Sequence, residues 1–417
     1  MSEAAPSPSN DSRDTRDRPS APRNLAALVS ATGLANLADG VMRVGLPLVA
    51  ARLTSDPVAI GALVACFSAP WVVASFHVGV MVDRLDRRLL LCAAHLARLT
   101  ATGMVAATYL MGILNLSWLY VAALALGASE VVAMTSETAI VPMATASDRI
   151  PAANAWITAL ETLGSESVGP ALGGLLFALG TAWILLPAAS AFLLSAAGAL
   201  SLRGDFRARR TVGGSSILAD GKAGLAYLMG RRDLFYMTLL VGIAAACWSA
   251  WRTLILLFAA QPGPMHLDPR GYGVLVAMLG VGGLAGAMLA GRVVRWVGRK
   301  AAMSLNVVGT AAMLGMPVVT ADSVAVGVAI FAAGFGSSVW SINSRTIVQQ
   351  TVPTTMVGRF YSIYRLLSWG CLPIGAMAAG AAARSLGLVQ AFAVMATVAT
   401  LQAVPFLLRF HPARAQT

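Results

Sequence analysis

Residues 79–88 read Gly-Val-Met-Val-Asp-Arg-Leu-Asp-Arg-Arg and form a short charged turn between two long apolar segments. The pattern returns 212 residues later (291 − 79), where residues 291–300 read Gly-Arg-Val-Val-Arg-Trp-Val-Gly-Arg-Lys. Long apolar segments flank this second turn as well. A charged turn that occurs once in each half of the chain predicts two halves built on the same plan.

The composition is that of a membrane protein. Hydrophobic residues make up 57% of the chain and charged residues only 12%, whereas a soluble protein carries about 25% charged residues. Apolar runs of about 18 residues or more recur, each long enough to cross the hydrocarbon core of a bilayer. Because these runs lack the alternation of barrel strands, they predict an all-α integral membrane protein.

Twelve apolar runs predict twelve transmembrane helices, six on each side of a basic linker. The predicted spans are 25–52, 57–82, 88–112, 115–143, 150–179, 182–202, 233–260, 271–296, 300–319, 323–351, 357–383 and 387–409. The predicted domains are a disordered N-terminal tail (1–23), a six-helix bundle (24–202), the linker (203–232), a second six-helix bundle (233–410) and a C-terminal tail (411–417). The N-terminal tail has almost no bulky apolar side chain, which is typical of disorder.

The basic residues between the predicted spans lie almost entirely on one side of the membrane. That side carries both termini and the linker, whereas the other side carries Arg52, Arg270 and Arg384. Because Arg and Lys are retained on the cytoplasmic side, we predict a plasma (bacterial inner) membrane protein with both termini in the cytoplasm. This asymmetry also accounts for most of the net charge of +12, so no nucleic-acid partner is required.

The turn at 79–88 resembles the loop between spans two and three of the major facilitator superfamily, which reads roughly Gly-x-Leu-x-Asp-Arg-x-Gly-Arg-Arg/Lys. The matching residues are Gly79, Asp83, Arg84, Arg87 and Arg88. Asp86 stands where the family has its second glycine, and since Asp tolerates a left-handed backbone, the turn is expected to survive. The resemblance implies that Asp83 contacts the N-terminus of span eleven and latches one conformation.

Other spans resemble a branch of this superfamily that contains macrolide efflux pumps and the enterobactin exporter. The resemblance rests on Gly127-Ala-Ser-Glu130, on Asn154-Ala-Trp156 with Glu161, on Gly169-Pro170-Ala-Leu-Gly173-Gly174, and on the stretches 350–353 and 370–376. The Gly-Pro-x-x-Gly-Gly element is the second half of a motif associated with antiporters. Together with Pro373 in span eleven, Pro170 and its small neighbours predict two kinked helices that act as hinges.

Ionisable side chains inside a span cost about 2.5–3.5 kcal/mol each, so each one suggests a function. The acidic ones all lie in the first half: Asp39, Glu130, Glu137, Glu161 and Glu166. We interpret them as candidates for proton coupling, with Glu161 and Asp39 ranked first and Glu130 next. Glu130 and Glu137 are expected to share one face of span four, whereas Glu166 is expected to face away from Glu161.

The same spans predict a substrate cavity. Asp39 and Arg43 are placed to pair at i and i+4, either as a structural ion pair or as a pair whose carboxylate exchanges its partner in the cavity. Arginines among aromatic side chains in the second half suit an aromatic or anionic ligand, although Trp and Tyr are also ordinary interface anchors. The cavity candidates are Asn36, Arg43, Asn154, Trp248, Trp251, Arg252, Asn343, Arg345, Tyr361, Arg365 and Trp369.

The chain has no Walker loop, no metal-ligand spacing and no nucleophile constellation, so we predict neither an enzyme nor a dependence on a metal or cofactor. The sequence favours a monomeric, proton-coupled exporter of amphiphilic small molecules such as drugs, natural products or siderophores, working by alternating access. The expected partners are this substrate, protons and the lipid bilayer.

Two other functions stay open. Ser165 and Trp156 occupy positions of the antiporter motif where glycine is expected, which leaves room for an uptake permease of the same fold. The third possibility is a membrane sensor or scaffold that transports nothing.

Overall fold

A computed structural model describes residues 21–82, 84–146, 149–207, 225–352, 363–364 and 366–402 of the 417-residue chain. Its helices are α1 (Ala21–Leu53), α2 (Pro57–Val82), α3 (Arg87–Leu110), α4 (Leu116–Ala144), α5 (Ile150–Glu161), α6 (Gly169–Leu179), α7 (Thr181–Leu200), α8 (Arg232–Ala259), α9 (Pro269–Val319), α10 (Ser323–Thr351), α11 (Cys371–Leu386) and α12 (Leu388–Leu401). A π-helical turn, Thr162–Val168, joins α5 to α6. The described chain is therefore helical, as predicted.

Eight helical segments of the described chain are long and apolar enough to cross a membrane. They comprise α1, α3, α4, α7, α8, α9, α10 and the stretch 366–386 that contains α11. Shorter apolar stretches lie in α2 and α12. The chain is thus a multi-pass membrane protein, whereas the count of twelve spans stays a prediction.

Helices joined by short turns run in opposite directions, whereas α5 continues through the π-helical turn into α6, and this gives the bundle two ends. We call the end where α1 begins and α12 ends the terminal end, and the end where α1 gives way to α2 the far end. We refer to α1–α7 as the first helix group and to α8–α12 as the second.

Among the described residues, the two groups pack closely near the far end. There α6 packs on the start of α9, and α2 packs on α11. A Cβ built on Gly273 of α9 would lie 2.7 Å from the Pro170 carbonyl oxygen, and one built on Gly61 of α2 would lie 2.7 Å from the Ala376 carbonyl oxygen. Glycine at these positions lets the backbones come together without a side chain between them.

Both prolines of the predicted hinges follow a break in their helix. Pro170 lies in the first turn of α6, directly after the π-helical turn. Pro373 lies in the first turn of α11, after the turn residue Gly370. Proline is well tolerated there, because the first N–H groups of a helix have no partner within it. Whether these breaks act as hinges stays a prediction.

The predicted eighth and ninth spans form one helical segment, α9, which is interrupted at Gly298 (φ 79°, ψ 159°). Asp86, at the matching position of the first turn (298 − 86 = 212), has φ −67° and ψ 115° instead. The expected left-handed backbone at Asp86 is therefore wrong. Its side chain caps α3 by accepting a hydrogen bond from the Arg88 backbone N–H, and an N-cap residue takes an extended backbone.

The arginines of the charged turn hold it against neighbouring helix ends. The Nη1 of Arg87 donates to the Met143 sulfur over 2.9 Å, which ties the turn to the end of α4. The Nη1 of Arg88 donates to the Leu202 carbonyl oxygen over 3.0 Å, just after α7. Arg84 is exposed.

The predicted latch is only partly covered by the structure. Gly79 lies in α2, but Asp83 lies outside the described residues. So does the stretch 353–362, where the predicted eleventh span begins. The latch stays a prediction. Most of the N-terminal tail, the linker residues 208–224 and the C-terminal residues 403–417 lie outside the described chain as well.

Replacing Gly298 by alanine should destabilise the protein, whereas the same change at Gly291 should not. The backbone at Gly298 lies in a region that is essentially restricted to glycine, and forcing another residue into it costs on the order of 1–3 kcal/mol. A Cβ would meet nothing within 4 Å at either position, so the comparison isolates the backbone effect. Thermal unfolding of the purified protein measures it, and equal melting temperatures for the two variants would contradict the assignment.

Candidate functional site

A cavity of about 1050 Å³ lies between the two helix groups. Its walls come from α1, α2, α4, α5, the π-helical turn and the start of α6 on one side, and from α8, α9, α10 and the start of α11 on the other. Toward the terminal end the lining residues Asn154 and Arg345 are exposed. Toward the far end Tyr272 and Ile255 are only 3% and 1% exposed. The cavity is therefore open at the terminal end and closed at the far end.

Four charged side chains form an ion network in this cavity, toward its closed end. Arg43 of α1 pairs with Glu130 of α4 (2.5 Å) and with Glu166 of the π-helical turn (2.9 Å). The other oxygen of Glu166 accepts a hydrogen bond from Arg252 of α8 over 3.0 Å. Glu166 thus lies between two arginines, one from each helix group. Charge-assisted contacts of this kind are worth about 1.5–3 kcal/mol each.

The π-helical turn explains the direction in which Glu166 points. The sequence spacing predicts that Glu161 and Glu166 face different sides of their helix, and this is wrong because both line the cavity. A π-helical turn closes hydrogen bonds from i to i+5, so residues five apart come to lie above one another. The Gly169 N–H donates to the Gly164 carbonyl oxygen in this pattern.

A close crossing with α1 accompanies the π-helical turn. A Cβ built on Gly40 of α1 would lie 2.9 Å from the Cα of Gly169. Beside this crossing, the Ser165 hydroxyl donates to the Asn36 side-chain oxygen over 2.9 Å. Ser165 thus holds Asn36 at the cavity wall. Ser165 is also the residue that stands where the antiporter motif is expected to have glycine.

The predicted pair between Asp39 and Arg43 is not formed. Asp39 pairs with Arg98 of α3 over 3.1 Å, and both side chains are buried. Arg43 turns to the cavity instead, because two carboxylates from other helices meet it there. Asp39 and Arg43 therefore each pair with a residue of another helix and not with each other.

Glu130 and Glu137 have different surroundings, although the spacing predicts that they share a face of α4. Glu130 lines the cavity, whereas Glu137 is 8% exposed and does not belong to the lining. Of the five predicted proton-coupling candidates, the cavity thus contains Glu130, Glu161 and Glu166. Within the described part of the chain, Glu161 forms no ion pair.

Most of the predicted substrate contacts lie in the cavity wall. Those that line it are Asn36, Arg43, Asn154, Trp248, Trp251, Arg252, Arg345 and Trp369. Asn343 does not, because it is buried and donates its side-chain N–H to the Val339 carbonyl oxygen. Tyr361 and Arg365 lie outside the described residues.

Four aromatic lining residues were missed by the sequence interpretation, namely Phe67, Trp71, Tyr272 and Trp340. Trp71 of α2 meets Trp369, which precedes α11, edge to face with ring centroids 4.0 Å apart. This contact joins the two helix groups beside the cavity. The only sequence signal at Trp71 is its position after Pro70, a proline inside a helix.

Comparisons with known proteins agree with this architecture. The sequence model of the Major Facilitator Superfamily matches residues 28–376. Search of the curated proteins gives no significant match.

Several solved structures of transporters share the fold. The nucleoside transporter NupG superposes with a TM-score of 0.76 at 12% identity, over 93% of this chain and 100% of that one. A bacterial homologue of the iron transporter ferroportin in an inward-facing state gives 0.70 at 14% identity, over 93% and 99%. A POT family transporter in complex with 5-aminolevulinic acid gives 0.72 at 12% identity, over 92% and 95%.

These identities show the fold alone, but the family model spans most of the chain. The chain is therefore a membrane transporter, not an enzyme, and it belongs to the major facilitator superfamily.

Proposed function

We propose that this transporter is a proton-coupled exporter of amphiphilic small molecules that works by alternating access. One observation carries the proposal. The carboxylate of Glu166 lies between Arg43 of the first helix group and Arg252 of the second, toward the closed end of the cavity. A single titratable group therefore joins the two groups near the end where they must separate for the cavity to open on its other side.

The proposal fixes an orientation in the membrane. The twelve predicted spans form two six-helix bundles, 24–202 and 233–410, in a bacterial inner membrane with both termini in the cytoplasm. The terminal end then faces the cytoplasm, and the cavity is in its inward-open state. A single chain supplies the whole described wall of the cavity, so a monomer is sufficient.

Glu166 binds and releases its proton as its surroundings change. In the inward-open state two guanidinium groups stabilise the carboxylate, so a proton carried on Glu166 is released toward the cytoplasm. When the far end opens, Arg252 moves away with the second group and Glu166 loses one of its two positive partners. The carboxylate then binds a proton from outside. After the return step this proton is released into the cytoplasm, which restores the charged contacts with Arg43 and Arg252.

The cavity wall suits an amphiphilic substrate. Aromatic rings from both helix groups supply apolar surface, among them Trp71, Trp248 and Trp369. Glu161 and Arg345 form no ion pair within the described chain, so the cavity offers one carboxylate and one guanidinium to polar ends of a ligand. Binding of such a ligand competes with the ion network and frees the two groups to move.

Expression in a bacterial host that lacks its own efflux pumps should lower the accumulation of an amphiphilic fluorescent dye. A protonophore should abolish the difference between expressing and control cells, because export then has no driving force. Dye fluorescence in the cells measures both effects. Higher accumulation on expression would support an uptake permease instead, and no flux across a panel of amphiphilic dyes would favour a sensor or scaffold.

The substitution Glu166→Gln should shift the protein toward states that are open at the far end. The amide cannot form charged pairs with Arg43 and Arg252, and a loss of about 1.4 kcal/mol or more changes the ratio of states at least tenfold. Spin labels on Ser55 and Ser385, which are both exposed at the far end, report the separation of the helix groups in a cysteine-free variant.

Glu161→Gln is the matched control for this experiment. It removes a carboxylate from the same cavity without breaking a contact between the helix groups. The distance distribution between the labels should stay close to that of the parent protein. If the two variants shifted the distribution equally, Glu166 would have no special role in holding the far end closed.

A further inference from the structure

A second set of charged side chains is buried beside the cavity in the first helix group. Asp39 of α1, Arg98 of α3 and Glu137 of α4 are 7%, 3% and 8% exposed. None of the three belongs to the cavity lining. We call this set, with His95 of α3, the polar chamber.

The charges in the polar chamber do not balance. Arg98 pairs with Asp39 over 3.1 Å, which neutralises both. Glu137 forms no ion pair with any described residue. Arg98 and the Thr32 side chain of α1 favour a charge on Glu137, whereas Asp39 and the cavity residue Glu161 oppose it, so one cation faces three acidic groups. The charges of Arg98, Glu130 and Arg43 act electrostatically on Asp39.

His95 does not supply the missing positive charge. Its side chain is fully buried, and Arg98 lies on the same side of α3, three residues along the chain. Burial disfavours a charged imidazole and the positive charge of Arg98 would repel it, so His95 stays neutral. Both ring nitrogens lack a hydrogen-bond partner among the described residues, as does the nearby hydroxyl of Thr102. Buried polar groups of this kind are usually satisfied by internal water, which also conducts protons.

An ionised Glu137 would therefore be a buried charge without an ion pair of its own, because Arg98 already pairs with Asp39, and such a charge costs several kcal/mol. A carboxyl group in this position takes up a proton instead. We propose that Glu137 is a resident proton-binding group in the polar chamber, separate from the substrate cavity, and that the cavity senses this proton through α1 and α4.

The two helices named in the proposal each carry one member of both charge clusters. On α1, Asp39 belongs to the chamber, and Arg43 lies one turn further along in the cavity network. On α4, Glu137 belongs to the chamber and Glu130 lies two turns away in the network. A change of charge in the chamber therefore acts on the groups that hold Glu166. This coupling rests on the proposed function, whereas the bound proton does not.

Thermal unfolding as a function of pH tests the bound proton. A group that binds a proton more tightly in the folded state stabilises the protein at low pH, and this stabilisation is lost as the pH rises. The melting temperature of the parent protein should therefore fall by a few degrees between about pH 5 and about pH 9. Glu137→Gln mimics the protonated form, so it should melt with the parent protein at low pH and above it at high pH.

The control for this experiment is Asp56→Asn, which removes an acidic group at the far end, where Asp56 approaches Arg384 to 3.8 Å. It should keep the pH slope of the parent protein. An ion-paired, structural Glu137 would give the opposite result, because Glu137→Gln would then lose stability at every pH or fail to fold. Either outcome would overturn the proposal.

Infrared spectroscopy gives a second readout that does not depend on stability or transport. The purified protein near neutral pH should show the C=O stretch of a protonated carboxylic acid, and Glu137→Gln should remove one such band. A spectrum that is the same with and without the substitution would contradict a proton on Glu137.

The coupling is tested in liposomes with an amphiphilic dye and an imposed pH gradient. If the parent protein transports in response to the gradient and Glu137→Gln has a flattened pH profile, the chamber is coupled to the cavity. If the parent protein responds and Glu137→Gln keeps the same profile, the coupling is wrong. If the parent protein itself ignores the gradient, the proposed proton-coupled function fails, while the infrared result still stands for the chamber.

Discussion

The contact of Glu166 with Arg43 and Arg252 is the interaction on which the site depends. Charged groups inside a span are costly unless they meet a partner or face a water-filled cavity, and for Glu166 the partners come from different helices. Pairing therefore fixes how α1, the π-helical turn and α8 lie relative to each other. Glu130 extends the same constraint to α4. The ion network thus adds to the close glycine crossings, such as that of Gly40 with Gly169, in setting the register of these helices.

The helices α1 and α4 each contribute to two charge clusters, the ion network and the polar chamber. One cluster faces the cavity and the other is closed off behind it. Both helices, α1 and α4, are nearly featureless in their apolar pattern, so the few polar positions carry most of the specificity. A protein that must move needs such contacts to be strong enough to define a state and few enough to be exchanged.

Much of the architecture could be predicted from the sequence, because the signals are coarse and physical. Apolar runs mark helices, and basic loops mark ends. The confinement of buried carboxylates to the first half is visible in the chain itself. The turn at 291–300 keeps a glycine at 298, and the helix breaks there. These features depend on composition and on single positions, both of which a sequence contains directly.

The pairing of charges could not be predicted in the same way. The spacing of Asp39 and Arg43 favours a local contact, but Arg98 and Glu130 compete for them across helix interfaces. Which contact forms depends on the rotation of each helix about its axis. Apolar patterns define that rotation poorly when a helix is surrounded by lipid and protein alike. Trp71 and Tyr272 were missed for the same reason, since nothing in an apolar run says which side faces a cavity.

The π-helical turn at Thr162–Val168 also has a consequence for how the gene can change. Each residue of an α-helix advances the chain by about 100° around the axis. In a regular α-helix, deleting one codon therefore rotates the preceding residues by about that angle. Deleting one codon within the π-helical turn would let it relax to a regular α-helix instead, and since the turn spreads one more residue over nearly the same angle, α5 would keep its orientation relative to α6. Glu161 and Pro170 would then both stay at the cavity, so the chain can lose or gain one residue here without turning part of the wall away.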